Sequence, residues 1–256
     1  MKYYEKLLEL AIFSFNDLVK LIGNKETAST LVKDYQEKGY IKRIKRNLYT
    51  AINLETKEPV VNKFEIASNI TDTSYISHHS AFEYHGFMNQ VFYQVYVSSE
   101  SQFKKFEFNG IEYIYISSNF REGVVPSNYN NKIMVTDVER TVLDAINDFD
   151  KIGGLEELFK CLELITFLNH KKLQKYLPCY NSQYMYQKAG FILELFKSSL
   201  QLPESFFDLC RNEIGKSTRY LYESVKNKNN HYNNIWQLII PDDIEEMLYS
   251  EGDTFV

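Results

Sequence analysis

Apolar residues in the first fifty positions recur at helical spacing, and the pattern breaks where capping residues stand. Ser14 reads as an N-cap, with Asp17 at the third helical position as an acidic form of the capping box. Phe13 before it and Leu18 after it have the spacing of a hydrophobic staple. Leu18, Val19, Leu21 and Ile22 then give one apolar face, and Gly23 stops the helix. Asn24 caps a second helix, in which Ala28, Leu31, Val32 and Tyr35 share one stripe. Ser29, Thr30 and Lys33 point the other way, with Lys25 and Thr27 near the N-terminal end. After Gly39, the apolar residues Ile41, Ile44, Leu48 and Tyr49 of a short hairpin can pack down on the helices. Lys42, Arg43, Lys45 and Arg46 lie between them, with Asn47 at the turn. Helix, turn, helix and basic ribbon in this order make a winged helix-turn-helix pattern. One helix suits a major groove, and the ribbon suits phosphates or a minor groove.

Beyond this head, residues 53–60 are polar and punctuated by Pro59, which reads as a linker. Residues 61–150 read as mixed α/β. A helix is expected near 61–70, a short strand at 75–77, and a helix over His78–Gly86. A strand follows over 91–99, then a β-hairpin about Asn109-Gly110 and a strand at 132–136. Asp137 caps a helix running to about 149. Residues 154–214 show helical periodicity in four stretches, the last starting at Pro203. Residues 216–240 look irregular up to a short strand, WQLII, and Pro241 opens an acidic helix. The expected fold class is α+β. A winged helix-turn-helix over residues 1–55 precedes a body over 61–256, mixed α/β to residue 150 and mainly helical from 151.

Charge sharpens this division. The whole chain carries a net charge of −5, which by itself argues against nucleic acid. Residues 1–50 carry ten Lys/Arg and six Asp/Glu, a net of +4, while the remainder carries 19 and 28, a net of −9. A basic head on an acidic body fits a module that touches DNA and a body with another task. Cys161, Cys179 and Cys210 are few and widely spaced, as expected of a reducing cytoplasm. Charges recur through the first positions, unlike a signal peptide, and no apolar run has the length of a membrane span.

Candidate chemistry is sparse. His78, His79 and His85 stand close together with Glu83 between them, but the spacing fits no zinc signature, so core or cap roles are expected. Ser77 and Ser80 neighbour these histidines without a G-x-S-x-G elbow. No P-loop, dinucleotide fingerprint or kinase signature occurs. Asp137, Glu139, Arg140 and Thr141 cluster at a helix start. The preferred reading is an N-cap with Arg140 paired to a carboxylate; the alternative makes Glu139 and Asp144 an acid/base pair. No catalytic residue, metal or cofactor is assigned.

Three segments carry a family resemblance: GYIKRIKRNLYT at the end of the head, YISHHSAFEYHGF, and DVERTVLDAI. Together they resemble the AbiEi-type antitoxins and transcriptional regulators of type IV toxin–antitoxin and abortive-infection loci. Phe82 stands where the family usually has Leu, Asn47 where it often has Gly, and the likeness covers 14–146. The resemblance implies a repressor binding inverted repeats in its own promoter. It also implies an antitoxin that counteracts a nucleotidyltransferase-like toxin without a stable complex. On that reading Lys25, Thr27, Ser29, Thr30, Lys33, Lys42, Arg43, Lys45 and Arg46 meet double-stranded DNA. Two alternatives stay open: a toxin-modifying, kinase-like enzyme, and a ligand-sensing transcription factor without a toxin.

Overall fold

The computed structural model describes residues 2–88 and 92–249, and the chain is α+β. It begins with α1 (Tyr4–Leu10), β1 (Ile12–Ser14), α2 (Phe15–Ile22), α3 (Lys25–Glu37), β2 (Ile41–Lys45) and β3 (Leu48–Ala51). α4 (Lys63–Ser68), β4 (Tyr75–Ile76), α5 (His78–His85), β5 (Gln94–Ser99), β6 (Phe106–Phe108) and β7 (Ile111–Ser117) follow. Then come β8 (Val124–Pro126), β9 (Met134–Thr136), α6 (Val138–Asn147), α7 (Leu155–Glu163), α8 (His170–Tyr176), α9 (Gln183–Leu195) and α10 (Glu204–Glu213). The described chain closes with β10 (Arg219–Tyr220), β11 (Asn230–Asn233), β12 (Leu238–Pro241) and α11 (Ile244–Tyr249).

The chain divides into two compact units. The first comprises residues 1–76, 92–118 and 126–134; the second comprises 77–91, 119–125 and 135–256. In the first unit, α1, α2 and α3 pack on an antiparallel sheet of order β1-β3-β2. Leu7, Phe13, Leu18, Ala28, Val32, Tyr35, Ile41 and Tyr49 form its buried centre. The local rules explain these helices. Ser14 and Asp17 make a reciprocal capping box, Gly23 ends α2 in the left-handed conformation, and the Asn24 side chain accepts from the Thr27 amide at 2.8 Å. The same unit holds strands in the order β6-β7-β5-β4, in which β5 and β7 run parallel and the other pairs antiparallel. Asn109 and Gly110 both take positive φ in the tight turn between β6 and β7.

Residues 53–60 lie inside the first unit rather than at its edge. Ile52 bridges Pro59, and the Val60 amide returns to the Ala51 carbonyl at 3.1 Å. The Asn53 side chain accepts from the amides of Glu55 and Thr56. A polar Pro-containing stretch describes such an Asx-capped turn as well as a linker.

In the second unit, α5, α6, α7, α8, α9 and α10 surround one large core that includes Phe82, Leu143, Ile146, Phe159, Phe206 and Trp236. A small sheet of order β10-β12-β11 packs Leu238 and Ile240 into the same core. Three expectations shift here. The stretch 216–240 contains β10 and β11 besides the expected strand. Pro241 ends β12, with the acidic helix α11 starting three residues later. Of the expected strand 91–99, Val91 lies outside the described residues and the strand runs from Gln94.

Candidate nucleic-acid interface

α3 buries Ala28, Val32 and Tyr35 and turns Lys25, Thr27, Ser29, Thr30 and Lys33 to solvent, all five exposed. Lys25, Ser29 and Lys33 succeed one another at i, i+4 and i+8 along one line of the helix. The Thr30 hydroxyl donates back to the Glu26 carbonyl at 3.1 Å, which leaves its methyl as the more available surface. The turn after β2 places Asn47 at φ 63, and Lys42, Arg43 and Arg46 are exposed on the hairpin. The α3 and hairpin candidates therefore belong to one unit and one small sheet-and-helix assembly.

The four hairpin cations differ in what they touch. Arg43 Nε donates to the Lys45 carbonyl at 3.2 Å. Arg46 makes no ion pair or hydrogen bond to side chains among the described residues. Lys42 Nζ donates to the Asn109 side-chain oxygen and stands 5.2 Å from the Phe108 ring centre. Lys45 is half-buried, with Nζ 5.5 Å from the Phe103 ring centre and 6.0 Å from that of Phe106. Burial pulls the Lys45 amine below the ordinary lysine pKa.

The second unit contains a separate polar cluster built on α6. Asp137 caps that helix by accepting from the Arg140 amide at 3.0 Å. Its other oxygen accepts from Lys172 Nζ at 3.0 Å and Tyr176 OH at 2.9 Å. Glu139 accepts from the Asn169 amide at 3.0 Å and from Lys172 at 3.1 Å. Burial opposes the charge on Lys172, but Asp137 and Glu139 together outweigh it and raise its pKa. Burial, reinforced by the bond to Asp137, pushes the Tyr176 phenol up to about 12. Arg140 is buried, with Nε on Asp144 at 2.8 Å and Nη1 on the Glu122 carbonyl at 2.8 Å. Its guanidinium lies 3.5 Å from the Phe120 ring centre. Gly123, at φ +80, closes over it; a Cβ there would come within 2.6 Å of Arg140 Cβ. Tyr180 OH donates to Asp144 at 2.6 Å. Arg140 is thus paired to a carboxylate beside an N-cap, and Glu139 and Asp144 serve different partners on different sides of the helix. The opposite end of α6 meets Lys188, which is buried and donates from Nζ to the Asn147 carbonyl at 2.6 Å. Acids at the start and a lysine at the end both complement the helix dipole.

The three histidines do not converge. His78 Nδ1 meets Ser77 Oγ at 2.9 Å, His79 Nδ1 meets Ser80 Oγ at 3.3 Å, and His85 Nε2 meets the Thr136 carbonyl at 2.7 Å. Burial lowers the pKa of both His78 and His85. Among the described residues no group of three or more His, Cys, Asp or Glu is placed to hold a metal, and no helix is long and apolar enough to cross a membrane.

No family profile matches the sequence, and no curated protein matches it. The fold is similar to the crystal structure of the RV2827C protein from Mycobacterium tuberculosis. That likeness has a TM-score of 0.63 at 10% identity and covers 93% of this chain and 90% of that one.

Sequence reasoning did not find Phe103, Phe106, Phe108 and Asn109 as partners of the hairpin lysines, nor Phe120, Gly123, Lys172, Tyr176 and Tyr180 as partners of the α6 cluster. All of these contacts join residues far apart in the chain, and periodicity reports only on neighbours. The one usable signal was Asn109-Gly110, which located a hairpin but not what it packs against.

Proposed function

We propose that the chain is a transcriptional autorepressor and antitoxin whose first fifty residues are a winged helix-turn-helix that binds double-stranded DNA. The observation that carries the DNA-binding part is α3: one face is sealed into the core, and the other exposes Lys25, Thr27, Ser29, Thr30 and Lys33, with the acidic Glu26 and Glu37 also on the exposed side. Side chains of this kind hydrogen-bond base edges and phosphates once the helix enters a major groove. The β2–β3 hairpin, with Arg43 and Arg46 exposed, then meets the backbone beside it. The antitoxin part rests on the resemblance of the YISHHSAFEYHGF and DVERTVLDAI segments to AbiEi-type proteins. The second of these segments supplies Asp137, Glu139, Arg140 and Asp144 of the α6 cluster.

Two measurements test the two parts. For DNA, the promoter fragment upstream of the gene is titrated against a shuffled duplex at fixed salt. Alanine at a base-contacting position among Thr27, Ser29, Thr30 and Lys33 should cost about 1–3 kcal/mol on the promoter and much less on the shuffled duplex. Equal affinity of the wild type for both duplexes refutes sequence-specific repression. For antitoxicity, the neighbouring reading frame is induced with and without this protein supplied from an unrelated promoter. Growth arrest that the protein does not relieve refutes that half.

A further inference from the structure

The β6–β7 hairpin is tied to the β2–β3 hairpin by paired contacts on both of its basic residues nearest the sheet. Lys42 reaches the Asn109 side chain and the face of Phe108; Lys45 lies against Phe103 and Phe106. Phe106 is itself stacked on Tyr113, with ring centres 4.9 Å apart and planes 11° from parallel. The aromatic floor under Lys45 is therefore held by a strand in the middle of its sheet. Ammonium groups lying over ring faces are attracted by the ring quadrupole, more strongly as water is excluded. A lysine held this way is a poor phosphate ligand, since it must leave the rings to make the contact. The same segment carries Lys104 and Lys105 between the two ring partners. Lys105 is paired with Glu112 at 2.6 Å, but Lys104 is exposed and makes no ion pair or hydrogen bond among the described residues.

Resting on the DNA-binding reading above, we propose that the β6 segment is part of the nucleic-acid interface: it holds the β2–β3 hairpin through Lys42 and Lys45 and adds Lys104 as a backbone contact. Arg43, Arg46 and Lys104 are then the phosphate ligands of this side of the protein. Lys42 and Lys45 are positioning residues. Glu107, exposed on β6, stands opposite Glu112 in register, and Glu112 holds Lys105, so of the two adjacent lysines Lys104 is the one left to contact a phosphate.

The distinction is measurable because a phosphate contact and a positioning contact act on different parameters. Each neutralised phosphate contributes about 0.9 to the slope of log affinity against log salt, whatever the base sequence. The full-length protein is titrated with a mixed-sequence duplex over a range of salt concentrations. Arg46→Ala reports on the underlying DNA-binding reading: its slope should fall by about 0.9. Lys104→Ala should lower the slope by the same amount. Lys45→Ala should weaken binding at every salt concentration with the slope unchanged, and Phe106→Leu should reproduce that parallel loss. Lys104 is exposed, so its alanine variant folds, and a thermal melt verifies this for all four. A slope that Lys104→Ala leaves unchanged while Arg46→Ala lowers it overturns the proposal and leaves DNA binding standing. A slope lowered by Lys45→Ala overturns the positioning role. A wild-type protein that binds no duplex removes the reading beneath the proposal, and the proposal with it.

Discussion

Arg140→Met tests whether the α6 cluster is an interlocked ion network. The substitution keeps the stem that lies against Gly123 and removes the guanidinium. Asp144, with 6% of its side chain exposed, then retains Tyr180 OH as its one hydrogen-bonding side-chain partner among the described residues. The Glu122 carbonyl loses the donor that Nη1 supplied, and the Phe120 ring loses the cation on its face. Removing one member of a buried ion pair typically costs about 3–5 kcal/mol, because the remaining charge stays desolvated. The second substitution is Asp144→Asn, which removes that stranded charge while keeping an acceptor for Tyr180. Arg140→Met/Asp144→Asn should therefore recover about 1–2 kcal/mol relative to Arg140→Met alone. Urea unfolding of the full chain, followed by far-ultraviolet circular dichroism, gives both numbers. A loss under about 1 kcal/mol for the single variant, or a double variant less stable than the single, would refute the network argument.

Gly190→Ala should reverse the usual sign of a glycine-to-alanine change inside a helix. α9 would gain about 1 kcal/mol in propensity, but the new Cβ would come within 2.0 Å of the Trp236 ring. That indole is fully buried and pinned by its Nε1–H donating to Glu194 at 2.6 Å, so overpacking should win by about 1–3 kcal/mol. Trp236 is the single tryptophan, so its fluorescence reports the outcome directly, and an unchanged spectrum and midpoint would refute the clash. Lys188 is lowered by burial to about 8, against 10.5 for a free lysine. Between those values the unfolded chain binds more protons, so this group's contribution to stability rises with pH from about 8. The stability of the wild type relative to Lys188→Met should therefore increase between pH 7 and 10, and a flat difference across that range would show Lys188 charged throughout.

Local chemistry was legible where the sequence writes it within a few residues. The Ser14–Asp17 box, the left-handed Gly23, the Asn24 cap, the Ala28–Tyr35 stripe, the Asn109-Gly110 turn and the Asp137 cap are all present as read. Strand β1 was hidden because Ile12–Ser14 is three residues long and leads directly into a capping box. The parallel pairing of β5 with β7 was hidden for another reason. Alternation gives a strand's faces but not its neighbour, and β6 intervenes in sequence while pairing on the far side of β7. Of the candidate site, exposure of α3 could be read from its stripe, whereas the burial of Lys45 could not. A lysine's surroundings depend on which distant aromatic residues reach it, and the four cations looked equivalent along the chain.

The interleaving of the two units has a consequence for how the protein is made. Each unit is assembled from three separate stretches, and the first is complete only when residue 134 has been added. During synthesis the N-terminal helices emerge long before Phe103, Phe106 and Phe108, so the nascent chain shows the hairpin cations before the aromatic residues that lie against two of them exist. The second unit has begun by residue 77 and finishes only in the last third of the chain, so both must be under construction at once. A cut at residue 55 would separate the N-terminal helices from residues 92–118 and 126–134, which belong to the same unit. Shuffling of this N-terminal segment among unrelated proteins would have to carry residues 92–118 along with it.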